Sequence, residues 1–340
     1  MKLFRFSLLL LVGCLSLVSV VAYGGKKTPD RSASAPAAAL LGRLNEFVLD
    51  GTESCVEIRK GSSAIRPALT AVTNAANYIN RIAPGGLAVV WGERFSDPGE
   101  EYIATRAPYA RSLGRVQVLW RAADWDGMIS GSRNRCGWRA APLLYVGPNQ
   151  INFQVPMFYY KPFSEEEGDG YAQFSNFEGR EYEFIVLQVL RDGVTKVSSN
   201  TFRLKINSHA PEFFGNSFFN FPSWEQPAEV APGQTFVTYL TGLGKISDHE
   251  PEGYLPPQPP WTTAYPTVIE YRTVHGIRLL RAPFLFAGRA PGFVGVDQVN
   301  FTLPSLPLVS GQGVSIHVCT GSDNADRCSE RGVPLIYRTP

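Results

Sequence analysis

Two stretches of this chain recur at one fixed spacing, and that recurrence limits what it can fold into more than any other feature. Ile82-Ala-Pro-Gly85 returns as Val230-Ala-Pro-Gly233, and Gln150-Ile-Asn-Phe-Gln-Val-Pro156 returns as Gln298-Val-Asn-Phe-Thr-Leu-Pro304, both 148 residues later. A third block, Ala141-Pro-Leu-Leu-Tyr145, returns as Ala282-Pro-Phe-Leu-Phe286 at an offset of 141. The second copy therefore carries seven extra residues ahead of its Gln298 block. Self-similarity of this kind means one structural unit used twice.

The unit is all-β. Leu87–Trp91, Val116–Trp120, Gln150–Val155, Tyr182–Leu190 and Phe202–Ile206 are rich in β-branched and aromatic residues, as are Phe236–Leu240, Val268–Tyr271, Val299–Leu303 and Val314–Val318. Several alternate apolar with polar residues, as strands do when one face meets a core and the other meets water. In the Gln150 block, Ile151, Phe153 and Val155 share one face while Gln150, Asn152 and Gln154 share the other. Pro-Gly before a strand sets a turn, and the closing Pro ends ladder pairing because it has no N–H. These motifs read as scaffold. No segment between the strands is long and periodic enough for a crossover helix, so antiparallel sandwiches are expected: two tandem immunoglobulin-like sandwiches after a signal peptide and a short linker.

The first 22 residues have the form of a secretory signal. Lys2 and Arg5 precede an apolar run from Phe6 to Val21, and Val20-Val21-Ala22 offers small residues for cleavage. Leu11-Val12-Gly13-Cys14 also fits a lipobox, in which Cys14 would carry a lipid anchor. Residues 23–66 form an Ala/Ser/Pro-rich tether and a short segment in which Leu40, Leu41, Leu44, Phe47 and Val48 recur at helical spacing. Residues 67–207 and 208–340 are the expected sandwich domains. An exported chain, periplasmic, cell-surface or extracellular, favours disulfides. Cys55, Cys136, Cys319 and Cys328 allow three connectivities. Cys319 and Cys328 flank a polar stretch between two strand-like segments, so a bridge there would staple a loop and leave Cys55 to pair with Cys136.

The repeated blocks resemble a known family. Val72-Thr-Asn-Ala-Ala-Asn-Tyr78, Ile82-Ala-Pro-Gly85 and Ala141 to Pro156 are similar to the Solibacter-type repeat domain of unknown function, found in secreted proteins of acidobacteria. Ala231-Pro-Gly233, Thr241-Gly-Leu-Gly244, Ala290-Pro-Gly-Phe293 and Gln298-Val-Asn-Phe301 carry the resemblance in the second copy. His209-Ala-Pro-Glu-Phe-Phe214 is similar to that family's junction, with Glu212 where the junction usually has Gly. Each copy also resembles the IPT/TIG type of immunoglobulin-like domain. The resemblance implies the fold and brings no catalytic residues with it.

Chemistry is sparsely signalled. There is no HExxH, GxSxG, Walker loop or strand-linked GxGxxG. His209, His249, His275 and His317 are scattered and read as surface or satisfied residues. Once Lys2 and Arg5 are set aside, the formal charge of +2 falls to about zero. No basic excess remains for nucleic acid. Glu165, Glu166, Glu167 and Asp169, with Gly168 and Gly170, form an oxygen-rich loop that reads first as a solvated acidic loop and second as a Ca²⁺ site. No other cofactor is expected. Aromatics are the stronger feature: Phe213, Phe214, Phe218, Phe219, Phe221 and Trp224 crowd a segment read as the connector between copies, and Trp261 lies in a Pro-rich loop. Such rings either pack one sandwich on the other or form a platform for a sugar or a protein, with Phe213, Phe218, Phe221, Trp224 and Trp261 as the candidate platform. The expectation is a non-enzymatic extracellular binding or structural module for a polysaccharide or cell-surface protein, touching membrane only through a lipid at Cys14. The alternative is a polysaccharide hydrolase using loop carboxylates such as Asp124, Asp126 or those near Glu165.

Overall fold

The computed structural model describes residues 66–123, 138–157, 180–193, 195–218, 228–244, 246, 252–257, 260, 262–263, 267–321 and 327–339. The chain divides into Met1–Leu44, which lies outside the described residues, and one compact unit, Asn45–Pro340. Among the described residues no helix is long and apolar enough to cross a membrane.

The first ten strands are β1 (Ala68–Asn74), β2 (Leu87–Glu93), β3 (Tyr102–Ile103), β4 (Val116–Ala122), β5 (Arg139–Ala140), β6 (Leu143–Val146), β7 (Gln150–Gln154), β8 (Glu181–Val189), β9 (Lys196–Ser198) and β10 (Phe202–Lys205). They form one sheet in the order β1-β2-β7-β6-β3 and a second in the order β10-β8-β4-β5, with β9 beside β8. By role these are the A-B-E-D and G-F-C-C′ sheets of an immunoglobulin domain. The next ten are β11 (Glu212–Phe218), β12 (Ala228–Val230), β13 (Thr235–Thr241), β14 (Thr267–Thr273), β15 (Arg278–Ala282), β16 (Phe286–Arg289), β17 (Asp297–Thr302), β18 (Gly313–Thr320), β19 (Arg327–Cys328) and β20 (Val333–Tyr337). Their sheets run β11-β13-β17-β16 and β12-β20-β18-β14-β15, with β19 beside β18. The strand order is the same again, except that β3 has no counterpart among the described residues and β12 is added parallel to β20.

Each sandwich has its own interior. Val72, Val90, Ile151 and Phe153 meet Val118, Trp120, Phe184 and Val186 in the first, and Phe153 lies 6.1 Å from Phe184 across the gap between its sheets. Leu240, Val299 and Phe301 meet Ile269, Tyr271, Ile316 and Val318 in the second. The alternation in the repeated blocks is the cause. Ile151, Phe153, Val299 and Phe301 are fully buried, while the polar face makes one hydrogen bond twice over: Gln150 donates to Asn152 at 2.7 Å and Gln298 to Asn300 at 2.8 Å.

One expectation is corrected. The aromatic segment read as a connector begins a strand, since β11 pairs with β13. Its register breaks between Phe213 and Phe218, with Gly215 at a φ of 58°. A bulge of this kind removes the period-2 pattern by which a strand is recognised.

Candidate functional site

The two sandwiches meet through a polar joint built from the repeated motifs of the first and the seven-residue connection 290–296 of the second. Arg289 and Asp297 bracket that connection and pair with each other at 1% and 0% side-chain exposure. Asp297 also accepts the Leu243 N–H at 2.8 Å. The other Arg289 nitrogen donates to the Gly244 carbonyl at 3.1 Å and lies against Met157 Sδ. A buried charge must be paired and hydrogen-bonded to be tolerated, and this pair is both. From the first sandwich, the Leu87 N–H donates to Thr241 Oγ1 at 2.7 Å, and that hydroxyl donates onward to the Gly295 carbonyl at 2.9 Å. Gln154 donates to the Gly85 carbonyl at 3.1 Å and accepts from the Gly253 N–H at 2.6 Å. Glu252 accepts from the Met157 N–H at 2.9 Å and pairs with Arg111 at 2.8 Å.

Near this joint lie two buried titratable groups. Burial raises the Glu212 carboxyl to about 7, against the Glu330 N–H it accepts and the charge of Arg81. Burial lowers His209 to about 4, which leaves the ring neutral at physiological pH.

A different constellation occupies the outer face of the sheet that ends at β15. Glu270 on β14 is 3% exposed. It accepts from Arg272 Nε at 2.6 Å and Arg281 Nε at 2.7 Å, with Arg278 at 3.9 Å. Burial would raise this carboxyl, but the two hydrogen-bonded guanidiniums outweigh it and hold the group below the usual carboxylate range. Glu270 is therefore a fixed anion and a poor proton donor. Three arginines thus surround one carboxylate. On the adjacent strand, His317 joins Ser315 Oγ at 3.1 Å and the Ser329 carbonyl at 2.8 Å, and burial lowers its pKa. The first sandwich repeats the idea with less charge: Glu183 pairs with Arg121 at 2.6 Å and Arg203 at 2.7 Å, and Arg121 stacks 4.4 Å from the centre of the Trp138 ring.

The residues singled out in the sequence fall unevenly. Phe213 is 5% exposed within the core of the second sandwich, and Phe214 is 7% exposed. The side chains of Phe218, Phe221, Trp224 and Trp261 lie outside the described residues, as do Glu165, Glu166, Glu167, Asp169, Asp124, Asp126, Cys14, Cys55 and Cys136. Cys319 and Cys328 form the expected disulfide, directly opposite each other on β18 and β19. Their sulfurs lie near a Glu270 oxygen, but bonded sulfurs are not thiolate ligands, so the three groups do not make a metal site. Of the histidines, His209 and His317 are buried, His275 is exposed at a turn, and His249 is outside the described residues. The arginine face went unread in the sequence, although Glu270-Tyr-Arg272 and Arg278-Leu-Leu-Arg281 set its charges within one hairpin.

No family model matches the chain, and no curated protein matches it. Similar solved structures include the FN1–FN3 domains of chicken CNTN1, at 8% identity and a TM-score of 0.20, covering 80% of this chain and 67% of that one. Dimeric latent PorU from Porphyromonas gingivalis aligns at 12% identity and a TM-score of 0.25, over 81% of this chain and 24% of its own. Rst D1-D2 aligns at 9% identity and a TM-score of 0.22, over 81% of this chain and 100% of its own. Likeness at this level carries no argument about function, and the immunoglobulin-like assignment stands on the strand order itself.

Proposed function

We propose that this chain is an exported, non-enzymatic binding module of the Solibacter-type repeat group, holding a polysaccharide or protein ligand of the cell surface. The observation that carries the reading is the outer face around Glu270. One ionised carboxylate organises three arginines there, which suits holding an anionic group and not acid–base turnover. The Cys319–Cys328 bond fits an oxidising compartment and so supports export. The buried joint supports a module that displays two sandwiches as one body.

The test is a pull-down of the full chain against insoluble polysaccharides, peptidoglycan and cell-surface protein extracts, beside Arg278→Ala and a Trp224→Ala, Trp261→Ala variant. Retention by the parent with loss in Arg278→Ala places the ligand on the arginine face, and loss in the tryptophan variant places it on the aromatics. Release of dye from a dyed polysaccharide, abolished by Asp126→Ala, would show an enzyme instead. Retention on nothing would leave an architectural part.

A further inference from the structure

Sheet edges expose unpaired N–H and C=O groups, and folded proteins shorten, cover or charge them. Four edges here are treated in one of the first two ways. β3 and β5 are two residues long. β1 is capped by Asn200, which accepts the Leu69 N–H at 2.9 Å and donates to the Leu69 carbonyl at 2.8 Å. β16 is covered by the Thr262–Gly288 bridge and by the Thr263 N–H, which donates to the Ala287 carbonyl at 2.8 Å. β15 differs. It is five residues long, ends its sheet, and among the described residues has a strand on one side only. Arg278, Leu280 and Arg281 are exposed.

The side chains along this edge are sorted by face. Leu280 stands opposite Tyr271, on the side of the core, and is 37% exposed. Arg281 stands opposite Glu270 on the outer side. A register shift between Tyr271 and Arg272 brings Arg278 opposite Arg272. Two like charges directly across a ladder oppose folding unless an anion sits between them, and Glu270 is shared among three arginines. Around the strand, Val274, Ile277 and Leu285 are 65–66% exposed. The edge thus offers a row of backbone hydrogen-bonding groups, with Leu280 on one face and the guanidinium groups of Arg278 and Arg281 on the other.

We infer that β15 is a docking edge that accepts an extended, acidic segment of a protein partner as an added strand. The proposal rests on the binding-module reading and names the partner's chemistry. An incoming strand aligned with β15 would place alternate residues on the two faces. Those beside Leu280 should be apolar, and those beside Arg278 and Arg281 should be Asp or Glu. A second copy of this chain is disfavoured as occupant, because pairing β15 with itself would gather the guanidinium groups of both copies on one sheet face.

The experiment uses the full chain and three extended peptides of one length: alternating Val/Glu, alternating Val/Lys, and a scrambled Val/Glu control. Binding is followed by fluorescence anisotropy, and hydrogen exchange is followed at the amides of residues 278–282. The expected result is binding of the Val/Glu peptide with exchange at outward-facing β15 amides slowed about tenfold or more. Arg278→Glu should weaken that peptide about tenfold and improve the Val/Lys peptide. Arg278 has a side chain 61% exposed, and the gain for the basic peptide separates charge reversal from misfolding. Equal binding of acidic and basic peptides would overturn the proposal, and so would binding without protection of β15. A soluble polyuronate that binds through Arg278 while β15 amides stay unprotected would also overturn it, assigning the arginines to an acidic sugar. If no peptide binds but the pull-down still retains a ligand, β15 is wrong and the module stands; if both fail, both readings fall.

Discussion

In the first sandwich β6 and β7 are joined by residues 147–149, and the Gly147 N–H closes the turn on the Gln150 carbonyl at 2.8 Å. In the second, β16 and β17 are joined by residues 290–296, and Arg289 and Asp297 close the loop with a buried ion pair. Tyr145 and Phe286 stand at matching register, opposite Asn152 and Asn300, so the extra residues fall between matched points. The same element of one fold is thus a plain turn in one copy and a socket in the other. The motifs filling the socket belong to the first copy: Gly85 lies against Arg289, whereas Gly233, its counterpart, has nothing within 4 Å of where a Cβ would stand. A repeated scaffold becomes a joined pair mainly through changes outside its central strands, whose order is kept.

The severest way to break this comparison is Asp297→Ala. It strands a guanidinium that is 1% exposed and removes the acceptor of the Leu243 N–H. The expected loss is about 3–5 kcal/mol in urea unfolding, with the single transition splitting as the sandwiches uncouple. Asn149→Ala, at the matching exposed position of the first copy, should shift the midpoint by no more than about 0.5 kcal/mol. A stable, cooperative Asp297→Ala protein would remove the ion pair from any structural role.

A smaller effect comes from Glu212, which stands opposite Thr241 where Ala68 stands opposite Glu93. Its folded pKa, raised to about 7, lies above that of the unfolded chain. Its contribution is then complete below about pH 4.5, declines as the unfolded carboxyl ionises first, and is lost once pH passes the folded value. The full swing is about 3 kcal/mol between acid and neutral pH. Glu212→Gln should flatten the stability profile across that window, and equal pH dependence in both proteins would sink the assignment.

How much of this was legible in sequence follows from periodicity. β7 and β17 could be read because Ile151, Phe153, Val299 and Phe301 alternate with polar partners. β11 could not, because its bulge breaks the alternation within an aromatic run. β15 could not, because its half-buried Leu279 and Ala282 stand three apart among exposed residues and give no alternation. Repeat arithmetic did locate the seven extra residues. It could not say that Arg289 and Asp297 would meet, since residues eight apart across a loop share no helix face or strand face. The arginine face was hidden likewise: only the fold brings Arg278 beside Arg272 and Glu270.

Smaller still is a contrast between matched glycines. Gly85 and Gly233 both hold positive φ, 73° and 85°, so Ala at either costs about 1 kcal/mol through backbone strain. At Gly85 a Cβ would stand 2.1 Å from a nitrogen of Arg289, which its carboxylate partner keeps from swinging away. Gly85→Ala should cost about 2 kcal/mol more than Gly233→Ala, as overpacking does. Equal costs would mean that the joint yields and is not a fitted socket.

The mildest test sharpens the joint at one hydroxyl. Thr241 Oγ1 accepts from the buried Leu87 N–H and passes a hydrogen bond to the Gly295 carbonyl. Thr241→Val keeps the shape and loses both bonds, leaving one donor from the first sandwich buried without a partner. A loss of about 1 kcal/mol is expected, set by that donor's desolvation. Thr241→Ser keeps the hydroxyl and should recover most of it. Glu93, the matching residue of the first copy, is exposed, and Glu93→Ala should be neutral within about 0.5 kcal/mol. Recovery by Ser assigns the cost to the hydrogen bonds across the joint. Equal losses for Val and Ser would assign it to packing of the methyl group, and the hydroxyl would no longer count among the links between the sandwiches.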